Sequence, residues 1–170
     1  MVSASQTGTA TMPNQTVDCA SIRQFRVLLV DDHDLLRTGL RVLIENSKEF
    51  DVVGEAATGE EAVDLAGRLH PDVVVMDLRL PGIDGIEATR RIMKADGDTH
   101  VLVLTMDPPE DVLLDVFEAG GSGYLRKTGM ESRLMEALRA VAQGKVVADP
   151  ALVDALRKRA AKDSRAGMRR

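Results

Sequence analysis

Asp77 ends an apolar run of valines and a methionine, and a loop containing a Pro-Gly pair follows it. A carboxylate at the point where a buried strand meets a loop stands at the carboxyl edge of a parallel sheet, where open α/β sheets build their sites. Three other strand-like runs end in Asp31-Asp32, in Thr105 and in Lys127. Acids, a hydroxyl and an ammonium at equivalent places can hold a hard cation and a phosphoryl group.

The carboxylates of Asp31, Asp32 and Asp77 share one crevice if the strand order is 2-1-3-4-5, because strands one and three are then neighbours. Three acids repel one another unless a cation offsets their charge, and an all-oxygen ligand set that leaves room for water suits Mg²⁺. Asp77 can then attack phosphorus as a nucleophile and become an aspartyl phosphate. Lys127 would stabilise charge on the transferring oxygens, and Thr105 offers them a hydroxyl. Asp31-Asp32 alone would identify no site, because acids also gather at helix N-termini.

Strand and helix patterns alternate five times from Phe25 onward. This alternation predicts an α/β fold, a doubly wound five-stranded parallel sheet with helices on both faces. Strands are predicted at about Arg26 to Val30, at Asp51 to Ala56, and in runs ending at Asp77, Thr105 and Lys127. Helices are predicted from Asp34, which can cap the first; from Thr58 to near Leu69; from about Gly85 to Lys94; from Pro108-Pro109 to Ala119-Gly120-Gly121; and from Glu131 to Gln143.

The chain is predicted to have three parts. Residues 1–24 are rich in Ser, Thr, Gln and Ala and are expected to form a disordered leader. Residues 25–148 hold the sheet domain, and residues 149–170 hold a short helix, from Ala151 toward Arg159, and a basic tail. Arg157 to Arg170 contain seven basic residues and one acid, a charge of +6, so the net charge of −5 leaves −11 on residues 1–156. An acidic body of this kind repels nucleic acid.

The composition excludes some kinds of site. Cys19 is the only cysteine among the 170 residues, which rules out an intrachain disulfide and a cysteine-based metal site. The sequence has no signal-peptide pattern and no apolar run near the roughly 20 residues of a membrane span. We therefore expect a soluble, cytoplasmic protein without membrane contact.

The strand-end residues resemble the receiver domain of two-component response regulators, over roughly Phe25 to Ala148. The match rests on their order, spacing and strand-end context, and its members are Asp31-Asp32, Asp77 with Pro81-Gly82, Thr105, and Lys127 with Tyr124 three residues before it. The flanking segments resemble the NarL/LuxR-type branch; they are Asp31-Asp32-His33, Arg37-Thr38-Gly39-Leu40, the run from Ala119 to Lys127, and Gly144-Lys145. The resemblance implies a flavodoxin-like sheet.

The resemblance also implies roles for individual residues. Asp77 would be the phospho-acceptor for a partner sensor histidine kinase, assisted by Lys127 and Thr105, and Thr105 and Tyr124 would be the switch pair. Mg²⁺ would be held by Asp31, directly or through water, by Asp32, by Asp77 and by the Arg79 backbone carbonyl. The output would be transcription control through a DNA-binding domain that this chain does not contain, and homodimers are a further expectation. Thr128 stands where many relatives have a proline after the lysine.

Other functions remain open at this point. A receiver could act alone through protein–protein contact. A phosphatase with an aspartyl nucleophile would need a second acid two residues after Asp77, where Arg79 stands. A nucleotide-binding enzyme would carry a glycine-rich loop after strand one, where Asp31-Asp32 stands. Arg79 and Asp107, each two residues after a site residue, are predicted to pair above the site.

Overall fold

A computed structural model describes residues 23–106 and 110–147, without the side chains of Glu110 and Asp111. The expected leader up to residue 22, the helix start expected at Pro108-Pro109 and the helix expected from Ala151 lie outside the described residues. Arg23 and Gln24, which fall within the expected leader, each donate a side-chain hydrogen bond, to Asp72 and to the Lys48 carbonyl.

The predicted alternation of strands and helices is confirmed. The strands are β1 (Phe25–Val30), β2 (Phe50–Ala56), β3 (Val73–Asp77), β4 (His100–Thr105) and β5 (Gly123–Arg126). The helices are α1 (Asp34–Glu45), α2 (Gly59–Leu69), α3 (Gly85–Ala95), α4 (Glu110–Glu118) and α5 (Leu134–Ala142).

The strands form one parallel sheet in the order β2-β1-β3-β4-β5, so the predicted topology is also confirmed. Val30 pairs with Met76 at the ends of β1 and β3, and Asp77 pairs with Leu104 on β4. β1 and β3 therefore end side by side, and the crevice where the strand order reverses lies beyond them.

Two apolar layers cover the sheet, because side chains alternate along each strand. One layer joins the sheet to α1 and α5 and contains Leu29, Val75 and Leu125. The other joins it to α2, α3 and α4 and contains Val103 and Tyr124. The core is mostly aliphatic, as the low aromatic content of 2% predicts, with Phe50 and Tyr124 as buried aromatic residues.

Side-chain caps begin α2 and α3. Thr58 Oγ1 accepts a hydrogen bond from the Glu61 amide, and Asp84 Oδ1 accepts one from the Glu87 amide. Each bond satisfies a backbone N–H that has no partner within the helix. Thr58 was predicted to open its helix; Asp84 was not identified.

Two details of the predicted helices are wrong. Asp34 does not cap α1 but is its first residue, and its carboxylate pairs with Arg37 instead. α5 begins at Leu134 rather than at Glu131, because a turn precedes it in which the amides of Arg133 and Leu134 both donate to the Met130 carbonyl. Met130 is buried in the layer under α5, which holds this turn against the sheet.

The chain returns to the sheet after α5. The Tyr124 amide donates to the Val147 carbonyl at 3.2 Å, and the Val147 amide donates to the Ser122 carbonyl at 3.0 Å. Val147 thus forms a parallel bridge with Gly123 on the outer edge of β5. Gly123 permits this approach, since a Cβ there would lie 3.1 Å from Val147 Cβ.

Among the described helices, none has the length and apolar character that a membrane span requires.

Candidate functional site

Strand alternation explains why three polar side chains meet at the end of the sheet. Asp31, Asp77 and Lys127 each stand two residues beyond a side chain of the α1/α5 layer: Leu29 on β1, Val75 on β3 and Leu125 on β5. Residues two apart along a strand point to the same face. The three polar side chains therefore continue three apolar columns past the edge of the core, and all three are buried.

Lys127 joins the two acids. Its Nζ lies 2.6 Å from Asp31 Oδ2 and 2.7 Å from Asp77 Oδ2, and the side chains are only 7%, 2% and 4% exposed, in that order. Burial of charge is costly unless the charges are paired. One ammonium paired with two carboxylates leaves one negative charge without compensation.

Burial shifts the pKa of two groups in this cluster. Burial raises the pKa of the Asp77 carboxyl above its usual range, because it outweighs the hydrogen bond and charge of Lys127; repulsion by Asp31 acts in the same direction as burial. For Lys127, burial alone would lower the pKa, but hydrogen bonds and attraction to Asp31 and Asp77 raise it overall. The lysine therefore stays charged at neutral pH, while burial works against the charged form of Asp77.

The acidic group extends to the β1–α1 loop. One ligand atom from each of Asp31, Asp32, His33 and Asp77 lies within 4.8 Å of the others. Three of these are carboxylate oxygens, the donor type that hard divalent cations prefer. Asp32 is the most open of the three acids, with its side chain 36% exposed, and its Oδ1 lies 2.7 Å from His33 Nδ1. The donor set fits Mg²⁺, because it supplies clustered oxygens with one side open to water.

The loop after Asp77 is tied to α2. Glu60 Oε1 accepts the Ile83 amide at 2.9 Å, and Gly82 adopts a φ of +78, with the Glu60 carboxylate in the space that a Cβ would fill. A Cβ on Gly85 would lie 2.1 Å from the Asp77 carbonyl oxygen. The loop also carries Arg79, whose amide donates to Asp77 Oδ1 at 3.3 Å. The position of this loop relative to Asp77 is therefore fixed by close packing.

Thr105 and Tyr124 lie toward the other face of the sheet. Thr105 continues the alternation of Val101 and Val103 toward the α2/α3/α4 layer, and it is 4% exposed. Tyr124 is 1% exposed and pairs with Val103 in that layer. The Thr105 carbonyl accepts a hydrogen bond from the Lys127 amide at 2.8 Å. A backbone hydrogen bond therefore joins these two residues, whose side chains point to opposite faces of the sheet.

The structure thus brings Asp31, Asp32, Asp77 and Lys127 together, with Arg79 in the adjoining loop. Asp107 lies outside the described residues, and its pairing with Arg79 stays a prediction. The Lys127–Thr128 peptide bond is trans, as are all others in the described segments.

Sequence reasoning missed the contributions of three residues, His33, Arg37 and Glu60. His33 and Arg37 were noted only as marks of a family branch, although both follow the acid pair closely enough to contact it. Arg37 Nη1 donates to the Asp31 carbonyl at 2.5 Å. Nothing in the sequence indicates the contact between Glu60 and the Ile83 amide, which are 23 residues apart.

Known proteins resemble this chain over most of the described residues. A family model described as the response regulator receiver domain matches residues 27–139. Transcriptional regulatory protein LiaR of Bacillus subtilis (strain 168) is 44% identical over 119 residues, which are 70% of this chain and 56% of LiaR. The chain spans a little over half the length of the curated relatives it matches.

Solved structures agree as well. The crystal structure of a LuxR-family two-component response regulator from Aurantimonas sp. SI85-9A1 is 40% identical, with a TM-score of 0.75, over 82% of this chain and 99% of that chain. A structure of two RcsB dimers bound to two parallel DNAs is 27% identical, with a TM-score of 0.71, over 80% of this chain and 69% of that chain.

The matched residues include every member of the buried cluster, Asp31, Asp77 and Lys127, and also Thr105. Receiver domains bind Mg²⁺ at an acidic pocket, and the acid group at the end of β1 and β3 is of that kind. Sheet order, site composition and sequence identity agree: the chain belongs to the response regulator receiver domain family of two-component systems, in its NarL/LuxR-type branch.

Proposed function

We propose that Asp77 accepts a phosphoryl group from a sensor histidine kinase in the cytoplasm. The observation that carries this proposal is the position of Lys127 Nζ between Asp31 and Asp77, at 2.6 and 2.7 Å from their Oδ2 atoms. A buried lysine that touches the acceptor carboxylate can also reach the oxygens of a group transferred to it. Nothing in the apolar core requires a cluster of this kind.

The chemistry follows from the side chains. An Asp77 carboxylate oxygen forms a bond to phosphorus, while the bond from phosphorus to the donor's imidazole nitrogen breaks and its electron pair stays on the imidazole. The desolvation that raises the Asp77 pKa also makes its carboxylate a less solvated nucleophile. Lys127 stabilises negative charge on the phosphoryl oxygens, and Thr105 offers its hydroxyl to one of them. The chain thus acts as a phospho-acceptor signalling domain that assists its own phosphorylation and dephosphorylation.

Asp31, Asp32 and Asp77, with the Arg79 backbone carbonyl, would hold Mg²⁺. The cation would neutralise charge on the acids and on the phosphoryl oxygens. Asp31 already has protein partners on both oxygens, Lys127 on Oδ2 and the His33 amide on Oδ1. Asp31 would contribute directly or through an intervening water, and Asp32, whose side chain is 36% exposed against 2% for Asp31, is the more accessible ligand.

Thr105 and Tyr124 are proposed as the switch that reports the state of Asp77. A phosphoryl group that draws the Thr105 hydroxyl toward itself would change the packing next to Tyr124, because both residues belong to the α4 side of the sheet. Phosphorylation would then favour one of two arrangements of β4, α4 and β5. The altered surface would change self-association and, through a separate DNA-binding domain, transcription. A structure of two RcsB dimers bound to two parallel DNAs, 27% identical to this chain, supports an output through dimers and DNA.

Two alternatives would place the same site in a different context. A receiver that acts alone by protein–protein contact has the same chemistry and differs only in its output. A phosphatase-type enzyme is disfavoured by Arg79, which stands exposed where the second acid of such an enzyme is needed.

Phosphorylation by a small phosphodonor tests the proposal. Wild type, Asp77→Ala and Asp64→Ala are incubated with acetyl phosphate and Mg²⁺, and their intact masses are measured. Asp64 is the control because it is an exposed acid on α2 that pairs with Arg68, away from the site. We expect one alkali-labile phosphoryl group on wild type and Asp64→Ala and none on Asp77→Ala. Undiminished labelling of Asp77→Ala would reject the assignment.

A further inference from the structure

The β1–α1 loop, residues 31–33, carries two of the three acids and is anchored at its backbone. The Asp31 amide donates to the Ala56 carbonyl at 3.1 Å, and the His33 amide donates to Asp31 Oδ1 at 2.8 Å. The carbonyl of Asp31 accepts from Arg37 Nη1 at 2.5 Å. The peptide between the two acids is therefore held by a side chain that the proposed chemistry does not use.

Arg37 is restrained from three directions. Besides the Asp31 carbonyl, its Nε donates to Glu55 Oε2 at 2.9 Å and its Nη2 to Asp34 Oδ1 at 2.6 Å. Its side chain is only 15% exposed. A guanidinium presents its donors in a planar, rigid fork, so acceptors on a loop, a strand and a helix fix one orientation.

Arg41 provides an internal comparison. Its Nη1 lies 2.8 Å from Glu55 Oε1, the carboxylate oxygen that Arg37 leaves free, and its Nε lies 3.0 Å from Glu45 Oε1. Both of these partners, Glu55 on β2 and Glu45 at the end of α1, lie outside the β1–α1 loop. The two arginines therefore share Glu55, while the Asp31 carbonyl is bound by Arg37.

We propose that Arg37 is a positioning residue for the divalent-cation site: by holding the Asp31 carbonyl, it sets the direction in which Asp31 and Asp32 present their carboxylates. Arg37 touches neither the cation nor the phosphoryl group. The proposal rests on the proposed function in one respect, that Asp31, Asp32 and Asp77 hold the cation.

Two effects of Arg37 on cation affinity have opposite signs. Its positive charge repels a nearby cation, so its removal would tighten binding; its hydrogen bond orients the acids, so its removal would weaken binding. Glu55 and Asp34 already offset the charge of the guanidinium. Partners that orient metal ligands typically contribute 10- to 100-fold to affinity. The orienting effect therefore dominates, and loss of Arg37 weakens binding.

Manganese titration tests this inference without phosphorylation. Free Mn²⁺ is counted by its electron paramagnetic resonance signal while the full chain is titrated, which gives a Kd. We expect Arg37→Gln to raise the Kd about ten-fold. Arg41 also pairs with Glu55, but Arg41→Gln should leave the Kd unchanged. Arg68 is an exposed arginine paired with Asp64, and Arg68→Gln should also leave the Kd unchanged. Thermal unfolding is measured in parallel, so that every titration is made on folded protein.

Arg37→Lys separates position from charge. It keeps the positive charge, but a single ammonium cannot hold three acceptors in a planar fork. A Kd raised as in Arg37→Gln supports positioning, and so do altered amide chemical shifts of Asp32 and His33. A Kd at the wild-type value or below it in Arg37→Gln overturns the proposal, whatever the loss of thermal stability. If Asp77→Ala binds Mn²⁺ as wild type does, the cation site itself is misassigned and the proposed function fails first.

Discussion

The ammonium nitrogen of Lys127 lies 2.7 Å from Asp77 Oδ2, although 50 residues separate the two in sequence and both side chains are less than a tenth exposed. Buried ion pairs contribute little net stability when complete, but removing one partner is expensive because the other charge stays buried. This pair is an extreme case, since Lys127 also compensates Asp31.

Lys127→Gln should therefore lower the free energy of unfolding by about 3 kcal/mol at neutral pH. Urea denaturation measures the change. Lys94→Gln, an exposed lysine on α3, should change it by less than about 0.5 kcal/mol. Acidification should restore part of the loss, because protonated acids need no partner. Equal losses in both variants would show that the pairing has no special importance.

Asp77→Asn should raise the free energy of unfolding by about 1 kcal/mol at neutral pH without divalent cations. The substitution removes a buried negative charge whose only described cationic partner, Lys127, is shared with Asp31. The folded-state pKa of Asp77 is raised, so the folded protein binds a proton that the unfolded chain releases. Stability from this group therefore rises as the pH falls from neutral through the folded-state pKa, and the gain is complete below the unfolded value of about 3.9. Subtracting the curves of unfolding free energy against pH for the two proteins isolates this contribution. A difference that does not depend on pH would contradict it.

Thr105→Val should keep cation binding but weaken the response of Tyr124 to a phosphoryl group at Asp77. Tyr124 is the only tyrosine and the chain has no tryptophan, so intrinsic fluorescence reports this residue alone. We expect beryllofluoride with Mg²⁺, a mimic of the phosphoryl group, to change the fluorescence of wild type and to change that of Thr105→Val by less than about half as much. Thr38→Val, on the exposed face of α1, is the control. A full response in Thr105→Val would remove Thr105 from the switch.

Gly85→Ala should destabilise the domain by about 2 to 3 kcal/mol, because its Cβ would lie 2.1 Å from the Asp77 carbonyl oxygen and 2.8 Å from Leu78 Cα, both backbone atoms. Gly67→Ala is the matched control within α2, where a Cβ meets nothing within 4 Å. It should stabilise by about 0.5 to 1 kcal/mol, as expected for alanine in place of glycine in a helix. Both values follow from thermal or urea unfolding. Similar changes in the two variants would refute the close packing of α3 against Asp77.

The sequence predicted the elements that carry local signals. Asp77, Thr105 and Lys127 end strand-like runs, and strand order with alternation is enough to place Asp77 and Lys127 on one face. Contacts set by tertiary packing were not predictable in this way. Asp34 looks like a cap, but its carboxylate pairs with Arg37. α5 starts at Leu134 and not at the predicted Glu131, because Met130 is buried in the core and a turn follows it. A periodic pattern does not reveal this.

The bridge between Gly123 and Val147 has a mechanical consequence. Val147, the last described residue, lies on the outer edge of β5, and its carbonyl accepts a hydrogen bond from the backbone amide of Tyr124. Whatever continues beyond Val147 is thus fastened to the same strand that carries Tyr124. A tilt or slide of β5 would displace Val147 with it, because backbone hydrogen bonds join the two, and would therefore move the point from which the chain continues.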